Sequence, residues 1–136
     1  MGARAVLDAS VLLAYLQGEQ GAERVAEALS SPGGAAMSAI NWAEVLSKLA
    51  DYGEPPDRVT RRLRDAGLLG TALVIVPADE NLAVEIARLR KPTRAAGLSL
   101  GDGACLALGH LTGALVLTSD RSWASLAVGV RIAVVR

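Results

Sequence analysis

Arg4-Ala5-Val6-Leu7-Asp8-Ala9-Ser10-Val11-Leu12-Leu13-Ala14-Tyr15-Leu16 is the stretch that decides how this chain folds. Arg4 to Leu7 is a short apolar run of the kind that forms a buried strand. Asp8 interrupts it, and Ser10 to Leu16 continues with the apolar spacing of a short helix. A strand that passes through one acid into a helix opens an α/β unit.

The same pattern repeats along the chain. Gly21 to Leu29 reads as a second helix, and Ser31-Pro32-Gly33-Gly34 as a turn before a short strand at Ala35 to Ser38. Asn41 to Tyr52 is a helix with Trp42, Leu46 and Leu49 on one face. Gly53-Glu54-Pro55-Pro56 breaks the chain, and Asp57 to Leu68 is the next helix, with Val59, Leu63 and Ala66 on its apolar side. Ala72 to Val76 is a strand. Asp79 caps a helix to about Arg90, where Pro92 is expected to end it. Leu100 to Leu111 is a helix apolar nearly all round. Ala114 to Thr118 is a strand, Ser122 to Leu126 a short helix, and Val130 to Val134 the last strand. Strands apolar on both faces and separated by helices predict an α/β fold: a central, mainly parallel sheet with helices on both faces. In such sheets ligands bind outside the carboxyl ends of the strands.

The 136 residues set the size of one compact domain over residues 1–136. With 51% hydrophobic and 21% charged residues, the composition excludes a disordered or acidic-tail protein. A single cysteine, Cys105, excludes a disulfide framework and a Cys-based zinc site, and His110 is the one histidine. A formal net charge of zero argues against non-specific coating of DNA or of an anionic membrane. Aromatic residues are 3% with no Phe, which argues against a stacking platform for single-stranded nucleic acid. The apolar run Ala5 to Leu16 is broken by Asp8 and lacks the cleavage site of a secretory signal. No stretch reaches the ~18 apolar residues of a membrane helix. The expectation is a cytoplasmic protein without a membrane partner.

Four acids carry the chemistry. Asp8 follows the first strand and Asp120 the fourth, so both belong at the carboxyl edge of the sheet. Asp102 opens the apolar helix, and Glu44 lies one turn into the Asn41 helix. A bare cluster of carboxylates is unfavourable, because like charges raise one another's pKa. Mg²⁺ or Mn²⁺ removes that conflict: each takes oxygen ligands and serves in-line displacement at a phosphodiester. Each acid also has a plain structural use. Asp8 or Ser10 can cap the first helix, and Asn41 with Glu44, or Ser99 with Asp102, fits a capping box. Asp120 can cap the helix at Ser122. Glu44 lies on a polar stripe with Asn41, Lys48 and Asp51, as on a solvated face. Asp8 and Asp102 stand apart because each is embedded in apolar sequence, where an unpaired charge is expensive.

Taken in order, these segments resemble a family. Val6-Leu7-Asp8-Ala9-Ser10, then Ser38, Asn41 and Glu44-Val45, then Leu98-Ser99-Leu100-Gly101-Asp102-Gly103-Ala104-Cys105, then Leu117-Thr118-Ser119-Asp120-Arg121-Ser122-Trp123 are similar to the PIN domain. Among PIN proteins the similarity is to the VapC toxins of prokaryotic toxin–antitoxin pairs, and it covers essentially the whole chain. The resemblance implies a Rossmann-like sheet, a Mg²⁺- or Mn²⁺-dependent endoribonuclease acting on RNA, a homodimer, and inhibition by a cognate antitoxin whose C-terminal segment enters the active-site groove. Carried over by position, Asp8, Glu44, Asp102 and Asp120 match the catalytic and metal-binding acids. Thr118 matches a supporting hydroxyl, and Asn41 the polar residue that often accompanies the Glu.

Other features weigh less. Arg88, Arg90, Lys91 and Arg94 precede the Asp102 helix, and Arg58, Arg61, Arg62 and Arg64 lie on the Asp57 helix; each group can track an RNA backbone or form an ordinary charged face. Cys105 reads as core, since no His–acid pair accompanies it. His110 reads as a helix-end residue, and Trp42 as core. A haloacid-dehalogenase-like phosphatase would want an Asp where Ser10 stands, and a receiver domain would want a late lysine. A non-catalytic binding module and a PIN nuclease in RNA processing outside a toxin pair are the remaining alternatives.

Overall fold

The computed structural model describes residues 3–135. Its strands and helices follow the order read from the sequence: β1 (Ala5–Leu7), α1 (Ala9–Gln17), α2 (Ala22–Ser30), β2 (Ala35–Ser38), α3 (Ala39–Asp51), α4 (Pro56–Asp65), β3 (Leu73–Val76), α5 (Glu80–Thr93), α6 (Leu100–Thr112), β4 (Leu115–Thr118) and β5 (Ile132–Val134). Short 3₁₀ turns lie at Arg94–Ala96 and Arg121–Ser125.

All five strands are parallel, in the order β3-β2-β1-β4-β5. The chain leaves β1 toward β2 and β3, then returns through α5 and α6 to β4 on the other side of β1. The direction of winding therefore reverses between β1 and β4, and a crevice opens there at the carboxyl edge. Asp8 directly follows β1, and Asp120 lies two residues beyond β4.

The period-two alternation of strands divides the core into two layers. Ala5, Leu7, Ala35, Met37, Leu73 and Leu117 face α1 to α4, packing against Val11, Leu12, Val25, Trp42, Val45 and Val59. Val6, Ala36 and Val116 face α5 and α6, packing against Leu82, Leu89, Cys105, Leu106 and Trp123. Gly109 lets α6 lie directly on the sheet: a Cβ there would collide with the Val116 side chain.

Three boundaries differ from the sequence reading. Pro92 does not end α5, which runs through it to Thr93. Proline removes one backbone donor, but the buried Thr93 hydroxyl donates to the Leu89 carbonyl at 2.7 Å and holds the last turn. Helix α4 stops at Asp65 rather than Leu68. Gly67 adopts φ 82°, and the Leu68 N–H bonds back to the Leu63 carbonyl at 3.0 Å, closing a Schellman turn. Helix α3 is capped by Ser38, whose hydroxyl accepts from Ile40 N at 3.1 Å, so Asn41 is free for another use.

Candidate active site at the carboxyl edge

Asp8, Ser10, Asn41, Glu44, Asp102, Ser119 and Asp120 line one cavity of about 240 Å³ at the carboxyl edge. The four predicted acids thus come from four places in the chain: the β1–α1 junction, α3, α6 and the turn after β4. The crevice between β1 and β4 brings them together.

Asp8 is the most firmly held of them. It is the N-cap of α1 and only 7% exposed. Its Oδ1 accepts from the Ser10 hydroxyl at 2.6 Å and from Val11 N at 3.1 Å, and its Oδ2 accepts from the Thr118 hydroxyl at 2.6 Å. Burial pushes the Asp8 carboxyl above its ordinary range. The three hydrogen bonds pull it back down, and the Asp102 charge adds to the rise. Capping and site geometry are therefore not alternatives here, because one carboxylate does both.

Asp102 is half-buried and forms a capping box with Ser99. Its Oδ2 accepts from Ser99 N at 3.1 Å, and the Ser99 hydroxyl accepts from Asp102 N at 3.1 Å. Asp120 accepts at Oδ1 from Ser122 N at 2.9 Å and from the Ser122 hydroxyl at 2.7 Å. Thr118 links the two strand-end acids, because its oxygen also accepts from Asp120 N at 3.1 Å.

Glu44 is exposed, but its carboxylate is fixed on two sides. Its Oε1 accepts from Asn41 Nδ2 at 2.9 Å. The group also lies over Gly101, where a Cβ would collide with it. Asn41 is buried and donates from the same nitrogen to the Gly101 carbonyl at 2.9 Å. Its Oδ1 is a buried oxygen with no hydrogen-bond partner among the described residues.

Cys105 is buried beneath these groups on α6. Burial pushes its thiol well above the usual range, and the charges of Asp8, Asp102 and Glu44 all raise it further. A thiol held in that state is a core group and not a nucleophile.

The donor set is all oxygen, the chemistry of a hard divalent cation. One oxygen each of Glu44, Asp102 and Asp120 accepts no hydrogen bond among the described residues, and Asn41 Oδ1 is a further neutral oxygen without a partner. Among the described residues no three His, Cys, Asp or Glu side chains stand close enough together to hold a metal ion as they are placed. The residues fit such a cation in kind, and gathering three of the acids on one requires side-chain movement.

The sequence reading did not find Gly101, Ser119 or the burial of Asn41. A small residue beside Asp102 in a leucine-rich helix is the signal that could have found Gly101. Both basic groups are partly paired: Arg61 and Arg62 on α4 pair with Asp57 and Glu54, and Arg88 pairs with Glu85. Arg58, Arg64, Arg90, Lys91 and Arg94 have no carboxylate partner among the described residues.

The family model of the PIN domain matches residues 5–129. No curated protein matches the chain significantly. Solved structures share its fold. A VapBC-2 toxin–antitoxin complex from Rickettsia felis, bound to a promoter DNA fragment, has a TM-score of 0.72 at 13% identity, covering 95% of this chain and 96% of its own. VapBC-5 of Mycobacterium tuberculosis has a TM-score of 0.60 at 26% identity, over 95% and 97% of the two chains. A sarcin–ricin loop cleaving toxin of the same organism has 0.66 at 17% identity, over 93% and 98%. No helix among the described residues is long and apolar enough to cross a membrane.

Proposed function

Since the chain belongs to the PIN-domain family, we propose that it is a Mg²⁺- or Mn²⁺-dependent endoribonuclease, the toxin of a toxin–antitoxin pair, acting in the cytoplasm as a homodimer. The observation that carries this reading is the convergence of Asp8, Glu44, Asp102 and Asp120 on one cavity at the winding reversal of a parallel sheet. A bound divalent cation supplies the positive charge that offsets the phosphodiester in displacement and makes water nucleophilic near neutral pH.

The chain's own residues set up that chemistry. Asp8 is the fixed point, oriented by Ser10, Val11 and Thr118. Asp102 and Glu44 complete the ligand set from the helical walls, and Asp120 closes it from the β4 side. Asn41 orients Glu44 and anchors α3 to the first turn of α6. The toxin assignment rests on the ordered motifs and on fold neighbours solved as toxin–antitoxin complexes; such a partner would be a cognate antitoxin.

The test is cleavage of a panel of folded cellular RNAs by pure protein with Mg²⁺, with Mn²⁺ and with chelator. Discrete cuts that need the cation and vanish in Asp102→Asn are expected. Cuts that persist in chelator, or in a folded Asp102→Asn protein, overturn the reading.

A further inference from the structure

A second hollow, of about 660 Å³, adjoins the acidic cavity. Ser10 and Ser119 line both, so the two form one continuous surface. One wall is α1, and the other is the face of α3 that carries Asn41, Glu44 and Lys48, continued by Tyr52 at its C-cap. These residues are spaced to share one face of a helix. At 1.5 Å per residue, Lys48 stands about 6 Å beyond Glu44, and Tyr52 about 6 Å further.

Two features single this wall out. The chain has two Trp, two Tyr and no Phe. Trp42 and Trp123 are buried and Tyr15 is half-buried. Tyr52, 62% exposed, is the one aromatic ring presented to solvent among the described residues. Lys48 Nζ lies over one face of that ring, 5.8 Å from its centroid, which leaves the opposite face for a base, and no carboxylate pairs with that amine among the described residues. A cation next to an exposed ring matches the two parts of a nucleotide, phosphate and base. Glu19 lines the same hollow and disfavours a phosphate near it, which leaves Lys48 as the phosphate contact.

We propose that this groove is a subsite for one unpaired nucleotide of the RNA adjoining the scissile bond, its base stacked on Tyr52 and its phosphate held by Lys48. The inference rests on the nuclease reading and adds a preference for single-stranded RNA at that position. A single ring recognises one base rather than a run of them.

The experiment measures binding of a fluorescein-labelled, single-stranded oligoadenylate by the full chain carrying Asp102→Asn, in Mg²⁺ and over a salt series. Added Tyr52→Ala is expected to weaken binding about tenfold, the scale of one base–aromatic stack, and Tyr52→Phe to preserve it. Lys48→Ala is expected to lower the salt slope by about 0.7, one single-strand phosphate contact, while Tyr52→Ala leaves the slope unchanged. Equal affinity in all variants overturns the subsite, as does Tyr52→Phe binding as weakly as Tyr52→Ala. Variants that keep RNA affinity and lose only a protein partner assign the groove to that partner and also overturn it. Cleavage separates the two readings. If Asp102→Asn abolishes cutting while the Tyr52 and Lys48 variants bind and cut normally, only the subsite fails; if Asp102→Asn still cuts, the nuclease site itself is wrong.

Discussion

Asn41 and Gly101, 60 residues apart in sequence, are joined by a 2.9 Å hydrogen bond from the Asn41 amide to the Gly101 carbonyl. The same amide nitrogen holds Glu44 Oε1. One buried side chain therefore ties α3 to the first turn of α6 and aims an acid at the cavity. Asn41→Ala removes both bonds and leaves the Gly101 carbonyl without this donor. The expected cost is about 1–3 kcal/mol of stability. Cleavage should fall roughly 10–100-fold, as for loss of a group that orients a metal ligand. Chemical denaturation and single-turnover cleavage check the two effects on one protein.

Gly101→Ala separates these effects. Residue 101 lies in the first turn of α6 without a positive φ, so alanine suits the backbone and helix propensity favours it by up to about 1 kcal/mol. Its methyl group, however, meets the Glu44 carboxylate, and that exposed side chain must swing away. A Tm no lower than the parent's is expected, together with a 10–100-fold loss of cleavage. In a Glu44→Ala background the same substitution should have little further effect on rate. A rate loss that persists undiminished there would place the defect elsewhere.

These two contacts mark where the sequence stopped being legible. The strand–helix order could be read because buried parallel strands are short apolar runs, and Asp8 and Asp102 stood out as charges in such surroundings. Strand order was not legible: nothing local in Leu115 to Thr118 says that it lies beside β1 and not β3. Asn41 was read on a polar stripe with Glu44 and Lys48, yet it is buried, because its partner is a backbone carbonyl on a distant helix. Periodicity reports side-chain polarity and is blind to backbone partners. Pro92 misled for a related reason, since the Thr93 hydroxyl that holds the turn bonds a backbone carbonyl, that of Leu89 one turn back.

Glu85 provides a control remote from the cavity. It is buried between α5 and α6, with Arg88 Nη1 at 3.2 Å from Oε1 and His110 Nδ1 at 3.1 Å from Oε2. Oε2 accepts no hydrogen bond among the described residues, and His110 Nδ1, when it carries a proton, is the group placed to supply one. His110→Ala removes that group from beside a buried carboxylate oxygen and is expected to cost about 1–3 kcal/mol. Replacing Glu85 by Met removes the buried charge along with its need for a partner, and should be better tolerated. Both proteins should cut RNA at the parent's rate at a temperature where they remain folded. A large rate loss in either would connect the α5–α6 interface to the site.

Asp8 makes stability and activity oppose each other. Burial, and then the Asp102 charge, raise its carboxyl in the folded chain, against the pull of Ser10, Thr118 and Val11. Between the unfolded value of 3.8 and the raised folded value, the folded chain binds more protons than the unfolded chain. This contribution to stability is therefore fullest at the acid end of that window, falls as pH rises through it, and stays at its lower level above it. Asp8→Asn lacks the charge. In chelator it should melt above the parent at neutral pH, with the gap closing as pH falls toward 3.8, while cleavage drops to background. Adding Mg²⁺ should raise the parent's Tm and leave the variant's nearly unchanged. Thr118→Val works in the opposite direction on the same group. It removes a bond that lowers the Asp8 carboxyl, so the acid limb of the cleavage profile should move to higher pH and the rate at neutral pH should fall. An Asp8→Asn protein that melts below the parent at neutral pH in chelator would show that the three donors outweigh burial, and that Asp8 stabilises the fold it was expected to strain.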